Sequence, residues 1–467
     1  VSAEAPVEYS SVTALRGPLL VVEGVEGVGW DEVAEIHLDS GQVRRGVVLE
    51  VDRDIAVVEV FEGTAGMSLE RVGVSFAGTP LRIPVGSGWL GRVCDGRGLP
   101  LDGGPPVLGG ELRDVGGRPI NPAAREAPTD AILTGVSAID GLATLVRGQK
   151  LPIFSIAGLP HLELAAQVAA QARAGDEPFA IVFAAVGVTN ADAAAVRETL
   201  EERAAGGDLV LLLNTADDPL VARIVTPRIA LTIAEHLAFD LGRHVLVVVA
   251  DLTSYCEAVR EVSAARGEVP SRRGYPGYLY SDLASLYERA GRIRGRPGSL
   301  TQLPVLTMPA GDITHPVPDL TGYITEGQLV LSPELHVRGV YPPFDALASL
   351  SRLMRRGAGP GRTREDHLEI AAQLYALAAQ SRQVADLADV VGEGALSLRE
   401  QRYLAFADEF GSRFLSQGLT EARELEETLD RAWAVASLLP REELSMVSRA
   451  VLDAHYPRKD ADADAAR

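Results

Sequence analysis

Leu151-Pro-Ile-Phe-Ser-Ile-Ala-Gly-Leu-Pro-His-Leu-Glu163 is the stretch on which the fold of this chain turns. An apolar run over 151–156, without polar alternation, leads through a short Gly/Pro loop into a helical pattern over 161–174. Unalternating apolar runs belong to strands buried on both faces, as in a parallel sheet covered by helices. In such a domain a phosphate cradle after the first strand would read G-x-x-x-x-G-K-[ST]: its glycines let backbone N–H groups wrap phosphates, its lysine neutralises them and its hydroxyl holds magnesium. Here Ser155 and Pro160 take the glycine places, His161 the lysine place and Leu162 the hydroxyl place. Pro160 suits a first helical turn, where its missing N–H costs nothing. Glu163 favours the helix dipole but competes with a bound anion. The strand–loop–helix form is kept without its phosphate chemistry, and an ordinary loop that never bound a nucleotide fits this segment as well.

Working outward, the same kind of run recurs at 179–185, 209–213, 245–250, 303–308 and 327–331, with a helical stretch at 191–204. Upstream the texture differs. Short strand-like runs at 35–38, 43–51 and 55–61 are separated by the turn signals Asp39-Ser-Gly and Asp52-Arg-Asp, and Val47, Leu49 and Val51 alternate with the half-buried strand period. These predict a small β-barrel or sandwich, followed by a Gly/Pro-rich linker and loop region over 77–106. From about 356 onward helical spacing dominates (365–387, 397–414, 420–439), no glycine follows Gly418, and the polar end from Lys459 reads as a frayed tail. The expected division is an N-terminal β-barrel over 1–76, a central α/β nucleotide-binding-type domain over 77–355 and an α-helical C-terminal domain over 356–467 with a disordered tail.

Composition bounds these readings. At roughly 150 residues per domain, 467 residues hold about three domains. An apolar fraction of 46% with 23% charged residues excludes wholesale disorder. The net charge of −20 repels polyphosphate backbones, so a general nucleic-acid binder is not expected. Cys94 and Cys256 make neither a disulfide framework nor a zinc site, which suits a reducing cytoplasm. His315 and His336 have no second ligand at metal spacing, so no metal site is expected. The longest apolar runs fall far short of the ~18 residues that span a bilayer, and the opening VSAEAPVEYSS shows no secretory signal. Work at a membrane would need other chains to hold this one there.

Two further segments carry chemistry. The run 245–250 ends in Asp251, the form of a magnesium-holding Walker B aspartate, although apolar strands ending in Asp are common. The strand end Ala185-Val-Gly-Val-Thr-Asn190 offers no glutamate to polarise a water. Arg272-Arg-Gly-Tyr-Pro-Gly-Tyr278 is a local basic and aromatic patch, a combination that can bind single-stranded nucleic acid.

With these residues in view, the chain resembles the B subunit of A-type/V-type rotary ATPases. The degenerate loop 151–167 carries the likeness, as do Asp251-Leu-Thr-Ser-Tyr-Cys-Glu-Ala, Arg272-Arg-Gly-Tyr-Pro-Gly-Tyr-Leu-Tyr-Ser-Asp-Leu and Asp312-Ile-Thr-His-Pro-Val-Pro-Asp-Leu-Thr-Gly-Tyr-Ile-Thr-Glu-Gly-Gln. It extends from about 9 to 455 in the same domain order. Leu162, Ile156 and Gly311 depart from the family's usual residue types.

The resemblance implies a β-barrel, a RecA-like central domain with a degenerate P-loop, and a helical end. It implies a non-catalytic regulatory subunit alternating with catalytic A subunits in a hexameric ring around a central stalk rotor. ATP or ADP with Mg would sit at the interface with the A subunit, and none is expected on this chain alone. Arg352, in Tyr341-Pro-Pro-Phe-Asp-Ala-Leu-Ala-Ser-Leu-Ser-Arg-Leu-Met354, matches the family's arginine supplied in trans. Without the family it would read as part of a solvated basic helix end beside Arg355, Arg356 and Arg362. Ser155, Gly158, His161 and Asp251 match residual nucleotide-site positions, and Arg272, Arg273 and Tyr275 a rotor contact. A peripheral stalk, an indirectly reached membrane ion-translocating sector, a place on the cytoplasmic face, and coupling of ATP synthesis or hydrolysis to proton or sodium transport complete the expectation. The alternative is a self-sufficient hexameric RecA-like ATPase, an export or nucleic-acid motor, which would need its own lysine and catalytic glutamate.

Overall fold

The computed structural model describes residues 7–108 and 110–457. The tail expected from Lys459 lies outside them. The chain divides into two compact units, Val1–Pro122 with Ala180–Arg289, and Ala123–Phe179 with Ala290–Arg467.

The first unit opens with an antiparallel sheet whose order is Glu8–Tyr9, Val72–Pro80, Glu32–Leu38, Val43–Asp52, Ile55–Val60, Leu19–Glu23, Val12–Arg16. Its two edge strands are neighbours in sequence, so the connection at residues 10–11 holds the edges together and curls the sheet into a barrel. Leu20, Val22, Ile36, Val48, Val58 and Val74, all wholly buried, fill it. The alternation through Val47, Leu49 and Val51 does not continue along one face. The register shifts between Val48 and Glu50, and an extra residue in one strand moves later side chains to the other face. Val48 and Val51 therefore face the barrel core, whereas Val47 and Leu49 line a groove with Val221 and Val225 of the helix Leu220–Glu235.

The expected linker over 77–106 is instead structured. Arg82–Val85 pairs with Glu111–Asp114, and Val93–Asp95 runs parallel to Leu209–Thr215. Strands of three or four residues between glycine turns carry too little periodicity to read. Trp89 is buried among them, its Nε1–H donating to the Pro84 carbonyl at 2.8 Å. This unit's parallel strands follow the order His244–Ala250, Phe179–Val188, Leu209–Thr215, Val93–Asp95.

In the second unit Ile153–Ser155 lies between Ser299–Thr307 and Gly327–Val330, parallel to both, and the short strand Leu350–Ser351 adds antiparallel to Gly327–Val330. The helices His367–Val391, Leu398–Glu409 and Leu425–Ala436 complete it. Ser397 and Glu400 form a reciprocal capping box that starts the second of these. In the third, Leu425, Leu429, Ala432, Trp433 and Ala436 are buried, the spacing of one helical face. Phe406, Phe410 and Phe414 stack with centroids 5.4 and 5.3 Å apart. Among the described residues no helix is long and apolar enough to cross a membrane.

Candidate functional site

The degenerate loop is closed on itself. Leu159 N–H donates to the Ile156 carbonyl (3.1 Å) and His161 N–H to the Leu159 carbonyl (2.8 Å). In a phosphate cradle such groups point at the anion; here two of them are already satisfied. Ser155, wholly buried, shares a 3.2 Å hydrogen bond between its Oγ and His161 Nδ1. Gly158 has φ +91° with open space around it, so it serves the turn rather than a close approach. Ile156 and Gly311, two of the departures from the family pattern, are matched: a Cβ on residue 311 would lie 3.2 Å from Ile156 Cδ1. The larger side chain occupies the space that the glycine leaves.

Arg352 follows the strand Leu350–Ser351 and is exposed. Its N–H donates to the Glu326 carbonyl at 3.0 Å, and its Nη1 to the Thr325 carbonyl at 3.4 Å. Gly327, at φ +141°, lies against the facing strand, and a Cβ there would stand 2.3 Å from the Leu350 carbonyl oxygen. Gln149 fastens the pair by donating to both the Glu326 carbonyl (3.1 Å) and Ser351 Oγ (2.9 Å). The carboxylate of Glu326, across the strand pair, faces Lys150 instead: Nζ to Oε1 is 2.9 Å, and Lys150 N–H donates to Oε2 at 2.8 Å. No ion pair joins Arg352 to a carboxylate among the described residues.

In the other unit Asp251 caps the helix Leu252–Ala265, accepting from Thr253 N–H at 2.7 Å. The loop of Arg272, Arg273 and Tyr275 is closed by Ser271 N–H donating to the Tyr275 carbonyl (2.8 Å). Arg272 and Arg273 are exposed. Tyr275 is not: only 2% of it is accessible, its hydroxyl donates to Glu257, and the Arg260 guanidinium lies 5.7 Å from its ring centre. Burial and the Glu257 carboxylate push its phenol well above the ordinary range. Tyr275 thus turns inward, while Arg272 and Arg273 beside it stay exposed. His315 caps the helix Pro316–Ile324. Among the described residues no cluster of three His, Cys, Asp or Glu could hold a metal ion.

Comparisons with known proteins agree along the chain. Residues 12–75 match the beta-barrel domain of the ATP synthase alpha/beta family, residues 135–351 its nucleotide-binding domain, and residues 356–456 the C-terminal domain of V and A type ATP synthase. The B subunit of the A-type ATP synthase of Aeropyrum pernix is 56% identical over 453 residues, 97% of this chain and 98% of that one. The chain belongs to the family of A-type ATP synthase B subunits. The solved structure of a unique ATP synthase subunit, NeqB of Nanoarcheaum equitans, is similar with a TM-score of 0.71 and 37% identity, covering 91% of this chain and 100% of that one.

As a B subunit the chain serves a rotary ATP synthase as one component of a complex, with a barrel, a nucleotide-binding-type core and a helical end. Sequence reading reached Arg352 only through the family. It missed Gln149, Lys150 and Glu326, which frame that arginine, because Lys150 and Glu326 are 176 positions apart and no motif joins them. The signal available was a lysine a few positions before a buried strand, a place that asks for a distant carboxylate.

Proposed function

We propose that this chain is the non-catalytic, regulatory member of its complex and completes ATP sites on neighbouring catalytic A subunits by supplying Arg352 from the side. One observation carries the reading: an exposed guanidinium at a strand end, held by a main-chain carbonyl and bound by no carboxylate among the described residues. Such a group can meet charge developing on a transferring phosphoryl group, an effect that reaches about 10³–10⁵-fold when supplied in trans. Lysine, a point charge without the planar fork, substitutes poorly.

The residues of the chain's own loop do not fit a magnesium nucleotide: two loop N–H groups are spent internally, and positions 161 and 162 carry neither lysine nor hydroxyl. The same positions weigh against a self-sufficient motor. Arg352 does fit the phosphates of ATP or ADP held with Mg at an A-subunit interface; the magnesium would neutralise phosphate charge there, and this chain would orient the guanidinium. The wider proposal is an alternating hexamer in which Arg272 and Arg273 face the central stalk rotor. A peripheral stalk and a membrane sector moving protons or sodium complete the complex on the cytoplasmic face. Within the chain the working division is 1–76, 77–355 and 356–467.

The test is Arg352→Ala in an assembled A–B complex. Turnover should fall by about 10³-fold or more while the complex still assembles. Near-parental turnover would overturn the assignment.

A further inference from the structure

Glu326 and Arg352 are cross-strand neighbours. The register Gly327↔Ser351 in an antiparallel pair sets residue 326 opposite residue 352, and the 3.0 Å bond from Arg352 N–H to the Glu326 carbonyl continues that ladder. Side chains directly opposite each other have Cβ atoms about 4.5–5.5 Å apart, within easy reach of a carboxylate–guanidinium pair. Opposite charges so placed ordinarily pair. Here they do not: Lys150, 4% exposed, takes both carboxylate oxygens of Glu326, one through Nζ and one through its own N–H.

We propose that Lys150 is a positioning residue for Arg352: it sequesters the Glu326 carboxylate so that the guanidinium stays available to a neighbour's phosphates. The inference rests on the reading of Arg352 given above. The buried ammonium needs a carboxylate, because an ion withdrawn from water without a partner is costly, and Glu326 supplies it. That need holds the carboxylate on the Lys150 side of the strand, while Arg352 Nη1 turns to the Thr325 carbonyl, a neutral acceptor that yields readily to a phosphate. Lys150 also stands three positions before the start of Ile153–Ser155, the strand that enters the degenerate loop. A segment that no longer cradles phosphate thereby serves the arginine that reaches a neighbour's.

The experiment compares Lys150→Met, the double variant Lys150→Met/Glu326→Gln and Arg352→Ala in the assembled A–B complex. Lys150→Met frees the carboxylate to capture Arg352. If nine guanidinium groups in ten are captured, kcat falls about tenfold, with KM within about twofold, because the lost contact belongs to the transition state. The double variant has no carboxylate to capture Arg352, and kcat should recover to within about threefold of the parent. A double variant as slow as Lys150→Met overturns the proposal, as does a Lys150→Met complex with parental kcat. Failure of both Lys150 variants to assemble marks the pair as structural only and overturns it too. Parental turnover in Arg352→Ala removes the reading on which the proposal stands; lost turnover there, with no recovery in the double variant, removes only the role of Lys150.

Discussion

Glu59 offers a test in which magnitude and sign both follow from its surroundings. It lies in the barrel strand Ile55–Val60 with 1% exposure, and its Oε1 accepts Val221 N–H at 3.2 Å in the first turn of the helix Leu220–Glu235. Burial outweighs that hydrogen bond and the nearby Arg266 charge, and pushes the carboxyl from an ordinary 4.5 to about 7. The folded chain therefore binds more protons here than the unfolded chain between pH 4.5 and 7. Stability must fall as pH rises through that window, and the full loss persists above pH 7. At 1.36 kcal/mol per pH unit the loss is about 3 kcal/mol. Glu59→Gln keeps an acceptor for the Val221 N–H and removes the ionisation. Its effect can be read by hydrogen exchange in the strands Val43–Asp52 and Ile55–Val60, comparing variant and parent at each pH so that intrinsic rates cancel. At pH 8 the variant's slowest barrel amides should exchange about 100-fold more slowly than the parent's, and at pH 5 the two should nearly coincide. A gap independent of pH, or no gap at pH 8, would refute the reasoning.

Two further outcomes follow from single contacts. Asp140, wholly enclosed, accepts from Thr134 N–H and Oγ1–H (2.8 Å each) and from Gly135 N–H (2.9 Å); Asp140→Asn turns a donor toward one of these donors and should cost about 1–3 kcal/mol in urea unfolding. Tyr275→Phe removes the hydroxyl that holds its loop to Glu257, so about 1 kcal/mol of local stability is lost, and trypsin should cut after Arg272 or Arg273 about fivefold faster than in the parent.

What could be read from the sequence and what could not divide along a physical line. A strand buried on both faces must be apolar throughout, so the runs at 179–185, 209–213 and 245–250 appear in the structure as Phe179–Val188, Leu209–Thr215 and His244–Ala250. Burial on both faces is a property of the segment itself. The bulge near Val48, the short strand Val93–Asp95 and the inward turn of Tyr275 depend on what each segment meets, and no local pattern contains the partner. Charge is the extreme case. Arg352, Arg355, Arg356 and Arg362 read alike as a basic run, yet Arg362 lies 3.9 Å from Asp130 while Arg352 is left beside a carboxylate that another cation holds. The difference arises from the strand register that sets residue 326 opposite residue 352 and from a lysine 176 positions before Glu326. In a chain with 44 cationic and 64 acidic residues an arginine becomes available to a neighbour only where the fold has assigned every nearby carboxylate elsewhere, and that assignment is a property of the topology.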